Sequence, residues 1–311
     1  MHTMDSPNAE SLSVHPAYKH ADADLKLMSS DGVVFFVHSV ILRLASPVFA
    51  DMVSMPQPST PGSSTSLDTV ELTELADVLA ALLDSMYPRR PAPELVGFQF
   101  VQRLADAADK YDVKDVTDAI RRIISTKAAA IDFGSPLCNY SLACRMGWEE
   151  EAKALSFMAL SASLDSSKTL EVMDTIESCW MLKFLNFRRR RYAMFRDALN
   201  IYYDKNAPDS VRATRLRWEY IASRHLSECR SNAHNKTNWL AFKMLLLSSF
   251  DNDATGEPLV DLPSYFWKQD RLLGFILEET CTKCSNLFFS QTLLCSELKR
   301  VLENVLPKQM E

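Results

Sequence analysis

Leu25 and Leu27, then Val33, Phe35 and Val37, alternate with polar positions around Ser30-Asp31-Gly32. That period of two, interrupted by a turn-forming triplet, predicts two short strands joined as a hairpin. After His38 the period lengthens: Ile41, Leu42, Ala45, Val48, Phe49 and Met52 recur at helical spacing. Pro47 suits the first turn of a second helix and Ser46 its N-cap, so two short helices follow the hairpin. Met55 to Ser66 (MPQPSTPGSSTS) is rich in proline, serine and threonine, which predicts a mobile surface loop open to proteolysis. Thr69 to Thr73 alternate as a third strand, and Val78, Leu79, Leu82, Leu83 and Met86 mark a helix ending at Pro88. Two further stripes follow, Phe100/Val101/Leu104/Ala107/Ala108/Tyr111 and Val116/Ala119/Ile120/Ile123/Ile124. The predicted order is strand, strand, helix, helix, strand, helix, helix, helix.

Beyond about residue 130 the stripes are helical only: Leu155/Met158/Ala159, Leu170/Met173/Ile176, Tyr192/Phe195/Leu199, Leu216/Tyr220/Ile221 and Trp239/Phe242/Leu246. The last 40 or so residues, from Leu273 through Cys281, Cys284, Phe288, Cys295 and Leu298 to Val305, predict one long helix. No period repeats across this half, so no solenoid is predicted. Residues 1 to about 20 are polar and without periodicity, which predicts a disordered arm.

Composition narrows the function more than the fold. The chain has 311 residues, which favours two globular units. With 7 glycines it has little material for phosphate-cradling loops, and it contains neither a Gly-x-Ser-x-Gly elbow nor a His-Glu-x-x-His pair. The net charge of −6 offers no global attraction for nucleic acid or anionic lipid. There is no apolar run long enough to span a bilayer and no signal-peptide pattern at the start. The 7 cysteines, an odd number confined to Cys138–Cys295, fit reduced thiols, so cytoplasm or nucleus is the expected compartment.

Two motifs carry a family resemblance. Asp24-Leu-Lys-Leu, Asp31-Gly32, Phe36-Val37-His38, Leu42 and Ala45-Ser46-Pro47-Val48-Phe49-Ala50-Asp51-Met52 resemble the opening of BTB/POZ domains. Leu104-Ala-Asp-Ala-Ala-Asp-Lys-Tyr-Asp-Val113 resembles the family's helix before its final helices, at the right distance downstream. The resemblance implies an α+β BTB/POZ domain, a small sheet with helices, over residues 21–130, followed by a mostly α-helical C-terminal domain over 131–311. The loop and helical tail look most like fungal members with a helical extension. The implied function is a protein–protein interaction adaptor or scaffold, not an enzyme, and a ubiquitin ligase is one assembly that such adaptors serve. Asp24, Ser39, Leu42 and Arg43 are the partner-binding candidates on the BTB surface.

Two departures from the family pattern bear on partners. Many dimeric members carry a basic residue after the histidine, forming a charged centre with the early Asp, and here that position is Ser39. Cullin-recruiting members carry hydrophobic-x-Glu where this chain reads Met55-Pro56-Gln57. A monomer or weak homodimer is therefore expected, with no membrane and no nucleic acid among its partners. His38, where strand passes into helix, is expected to satisfy loose backbone groups. Tyr111 is expected to plug a facing helix with its hydroxyl toward water.

Two clusters remain as candidate chemistry. Cys281-Thr-Lys-Cys284 has zinc-ligand spacing, and Cys229 with His225 or His234 offers the remaining donors of a tetrahedral site. Against a structural zinc stands the burial of cysteines on a helix's apolar face. The run Arg188–Arg191 suits a nuclear localisation signal or a phosphate contact, and a nuclear regulator with a zinc-stapled tail is the alternative function. Its aromatic neighbours favour a solvated helix face instead.

Overall fold

The structure is a computed structural model that describes residues 13–55, 69–125, 135–200, 210, 213–217, 236–261, 267, 278, 280–281, 285–287 and 290–310. The chain divides into two compact units, Met1–Gly134 and Ser135–Glu311. In the first, β1 (Ser13–Lys19), β2 (Leu25–Met28), β3 (Val33–Val37) and β4 (Thr69–Glu71) form one sheet in the order β1-β3-β2-β4. β2 and β3 are the hairpin that the alternation predicts, with Leu25 opposite Val37 and Leu27 opposite Phe35. Gly32 takes φ 81° at the turn and donates its N–H to the Ser29 carbonyl at 3.0 Å, a conformation that a side chain would strain.

Helices α1 (Ser39–Ala45), α2 (Pro47–Ser54), α3 (Ala76–Met86), α4 (Phe98–Lys110) and α5 (Lys114–Ile124) complete the unit. Leu27, Phe35, Leu42, Phe49, Leu79, Leu82, Val101 and Leu104 are fully buried among them. The Ser46 hydroxyl accepts from the Phe49 N–H at 3.0 Å, capping α2, and itself donates to the Tyr111 carbonyl. Phe49 stacks on Tyr111, ring centres 4.6 Å apart, so one serine and one ring pair lock α2 onto the end of α4. The Tyr111 hydroxyl does not face water as expected. It donates to the Glu74 carboxylate at 2.6 Å, and Lys110 meets the other oxygen of that carboxylate at 2.8 Å.

The arm expected to lack structure is a strand from Ser13 on. β1 runs parallel to β3, with Ser13 opposite Val33 and Val14 opposite Val34, and its register shifts before Lys19 pairs with Phe36. Such an irregularity breaks the alternation of faces, which removes the period-two signal on which the sequence reading depends. His15 stacks on Phe35 at 4.7 Å, and the buried Tyr18 donates its hydroxyl to Asp84 of α3 at 2.7 Å. Two residues counted as polar therefore supply the inward face.

The second unit is helical: α6 (Pro136–Arg145), α7 (Glu149–Ala159), α8 (Ser167–Met173), α9 (Ser178–Ala198), α10 (Lys236–Asn252), α11 (Glu257–Val260) and α12 (Gln291–Asn304). The sequence stripes omit α6 because Leu137 to Cys144 are buried without a break, so the helix shows no polar face. α6 ends at Gly147 (φ 67°), where the N–H of Trp148 bonds back to the Ala143 carbonyl at 2.9 Å. The single long helix expected across the last 40 residues is interrupted. Thr280 bridges Leu287 in antiparallel fashion, the Cys281 N–H bonds the Asn286 carbonyl at 2.8 Å, and Ser285 takes φ 58°, so a turn precedes α12.

Candidate interaction site

The sheet-to-helix junction at His38 sets the geometry of the candidate surface. His38 is the N-cap of α1 by backbone only, for its side chain makes no capping bond, contrary to expectation. Its backbone N–H instead donates to the Tyr87 hydroxyl at 2.8 Å, Nδ1 lies 3.1 Å from the same oxygen, and Nε2 lies 3.2 Å from the Asp22 carboxylate. One residue on, the Ser39 N–H and hydroxyl both donate to Asp24, at 2.7 and 2.5 Å. These two bonds, the hydroxyl's first, hold the Asp24 carboxyl below the usual carboxylate range. Ser39 thus puts two neutral donors where many family members carry a cation, and Asp24 is hydrogen-bonded within its own chain.

Past this junction α1 splits by periodicity. Leu42 is fully buried, which removes it from the set of expected partner-contacting residues. Arg43 is exposed, and Val40 and Leu44, one helical turn apart, are 60% and 85% exposed. Sequence reasoning missed those two because the α1 stripe assigned to the core was read without its opposite, equally apolar side. Asp24, Ser39, Val40, Arg43 and Leu44 lie on or beside this one short helix, giving an apolar pair rimmed by polar groups.

Residues 17–128 match the family model described as the BTB/POZ domain. The chain carries a BTB/POZ domain. A search among curated proteins finds no match. The BTB domain is a protein-interaction module, and it is followed here by a mostly helical region. Among the described residues no helix is long and apolar enough to cross a membrane.

The other candidates lie in the second unit. Of the expected zinc set, Cys281 is described and buried in the turn before α12, whereas Cys229, His234 and Cys284, like His225, lie outside the described residues. Cys138, Cys144 and Cys295 are buried thiols. Burial pushes all three up, Cys144 to about 12 and Cys295 to about 11, so they remain protonated core residues at neutral pH.

The basic run does not present four charges to solvent. Arg188 and Arg191 are 5% and 0% exposed, and only Arg189 and Arg190 face out. Arg191 Nε donates to the Ala254 carbonyl at 3.0 Å, and its terminal nitrogens to the carbonyls of Thr255, at 3.2 Å, and Pro307. Its guanidinium also sits 5.0 Å from the centre of the Phe157 ring. Burial lowers its pKa to about 10, which leaves it charged at neutral pH. Arg188 bonds the carbonyls of Leu160, Ala162 and Asp251. Half of the run therefore staples backbone carbonyls inside the helical unit, and neither the phosphate-contact reading nor the solvated-face reading describes it.

Proposed function

We propose that this chain is a hetero-adaptor whose BTB domain offers the α1 face to a different protein, while the helical unit supplies a second surface. The exposed pair Val40 and Leu44 carries the reading. Apolar side chains one turn apart on a surface helix, beside Arg43 and the Asp24–Ser39 pair, have the composition of a small anchor with a polar rim. A ubiquitin-ligase assembly is one destination for such an adaptor. Met55-Pro56-Gln57 lacks the glutamate expected of direct cullin recruitment, so the link would run through the partner.

The test is quantitative affinity purification from the native cell with wild type and Leu44→Asp, whose unfolding midpoints should agree because the side chain is solvent-facing. A discrete set of proteins that falls at least about tenfold in abundance with the variant, equivalent to about 1.4 kcal/mol, supports the reading. Equal recovery of every co-purifying protein with the variant places the functional surface elsewhere.

A further inference from the structure

We propose that His20, Asp22 and His38 form a binding site for a borderline divalent cation such as Zn(II), placed where β1 ends and α1 begins. One ligand atom from each of the three residues lies within 4.8 Å of the others. Two imidazoles and a carboxylate are a donor set suited to zinc, at about 2.0–2.1 Å from each N or O ligand. Ligand atoms at that radius around a tetrahedral ion stand roughly 3.3 Å apart. The His38 Nε2 to Asp22 distance is already 3.2 Å, so two of the three donors occupy a tetrahedral edge.

A second, independent observation concerns His20. Its Nε2 is out of contact with solvent and makes no hydrogen bond. A buried ring nitrogen without a partner is an uncompensated cost, and a cation supplies the missing partner. The His20 ring lies against that of His38, centres 4.9 Å apart, and is stacked on Tyr87 at 5.6 Å, which holds both imidazoles side by side.

The surroundings supply the outer support that metal-binding histidines require. In the His38 tautomer that donates Nδ1–H to the Tyr87 hydroxyl, 3.1 Å away, the lone pair of Nε2 faces the Asp22 carboxylate. A metal ion between Nε2 and the carboxylate relieves the repulsion of two acceptors in that tautomer; in the other, the Tyr87 hydroxyl donates to Nδ1 and Nε2–H donates to Asp22. Asp22 is 84% exposed on its side chain and has room to adjust toward both imidazoles. Three protein ligands leave the fourth position to water or to a side chain of a bound protein, beside the Asp24–Ser39 end of the α1 face.

The experiment uses the full chain under reducing conditions. Zn(II) affinity is measured by calorimetry, and Co(II) is added as a spectroscopic substitute, in wild type, His20→Gln and Asp22→Asn. His38 is left unchanged because its backbone begins α1. The expected result is uptake of Co(II) with ligand-field bands in wild type and Zn(II) affinity at least about tenfold weaker in each variant. Unfolding midpoints without metal should stay equal, and added Zn(II) should raise the wild-type midpoint alone. Overturning results are no uptake by wild type, variants that bind within twofold of wild type, or a cobalt spectrum dominated by thiolate charge transfer and unchanged in His20→Gln. The last would assign the metal to cysteines.

Discussion

At the scale of single residues, the groups that decide the structure are buried polar ones whose partners lie far away in sequence. Arg191 is the clearest: its loss leaves the carbonyls of Ala254, Thr255 and Pro307 without a donor. Each unsatisfied buried group costs about 1–3 kcal/mol, so Arg191→Met is expected to lower the stability of the helical unit by roughly 3 kcal/mol or more. Arg189→Ala, on the exposed side of the same helix, should change it by no more than about 0.5 kcal/mol. Urea midpoints of the two variants provide the check, and equal midpoints would show that the run is a surface feature after all. The distinction was partly legible. Phe184, Phe187, Arg188, Arg191 and Phe195 follow the helical three-and-four spacing, which places two of the four arginines on the aromatic face. What no sequence shows is that carbonyls freed at the end of α10 lie above that face.

Glu74 and Glu297 make the same point with a pH signature. Burial alone would raise both carboxyls, but Lys110 and Tyr111 at Glu74, and Arg217 and Arg300 at Glu297, hold them below the ordinary value of 4.5. A depressed folded pKa contributes stability that is present above the unfolded value and is lost as the pH falls through the folded one. Urea midpoints are therefore expected to be flat near neutrality and to fall once the pH drops below about 4.5, the ordinary glutamate value. Glu74→Gln should lower the midpoint at pH 7 and flatten its decline toward pH 3. A decline as steep as that of wild type would show that the Tyr111–Glu74–Lys110 contact does not hold in solution.

At the scale of elements, legibility follows regularity. β2, β3 and α1 to α5 each have an inner and an outer side, and the alternation or stripe reveals them. β1 fails because its register shifts mid-strand and because its inward side chains are the half-buried His15, stacked on Phe35, and the buried Tyr18, tied to Asp84. α6 fails for the opposite reason, being buried all round, Asn139 and Ser141 included. The turn at Thr280–Leu287 was hidden because Cys281, Cys284, Phe288 and Cys295 fall near one helical face through and beyond it. Among the caps, Ser46 was read correctly as the start of α2, and it does more than cap. Ser46→Ala removes the acceptor for Phe49 N–H and the donor to the Tyr111 carbonyl. The expected loss is about 1–3 kcal/mol, at or above the upper end for an N-cap, because a second buried group is left unpaired. Thermal unfolding followed by circular dichroism measures it, and a loss below about 0.5 kcal/mol would mean that Tyr111 finds another donor. The candidate surface sits between these cases: Asp24, Ser39 and Arg43, expected on it from the sequence, do lie on or beside α1 with some exposure, whereas Leu42 is core and Val40 and Leu44 emerge only once the helix is placed.

At the scale of the whole molecule, the open quantity is the number of chains in the particle. Obligate homodimers typically bury about 2,000 Å² or more. The dimer that the family resemblance implies would draw on two sources, the first-helix face and an N-terminal arm paired as a strand with its neighbour. The second source is already used within this chain: β1 pairs with β3 of its own sheet and is anchored by Tyr18 to Asp84 and by Arg90 to the Ala17 carbonyl. Its outer edge holds Pro16, which withholds a donor from any further strand. The first source is reduced to Val40 and Leu44 on a helix of 7 residues, because Leu42 is spent on the core. Asp24 keeps its charge, but Ser39 offers no cation for it to meet across a symmetric interface. Two such patches cannot approach the area of an obligate dimer. Light scattering at micromolar concentration and moderate salt should therefore return a molar mass near 35.2 kDa, rising only weakly with concentration. Leu44→Asp should abolish even that rise, since it charges the larger of the two exposed side chains. A mass near twice the monomer at every concentration would show that β1 leaves its own sheet in solution, and the chain would then act as a self-associating scaffold whose α1 face is occupied by a second copy.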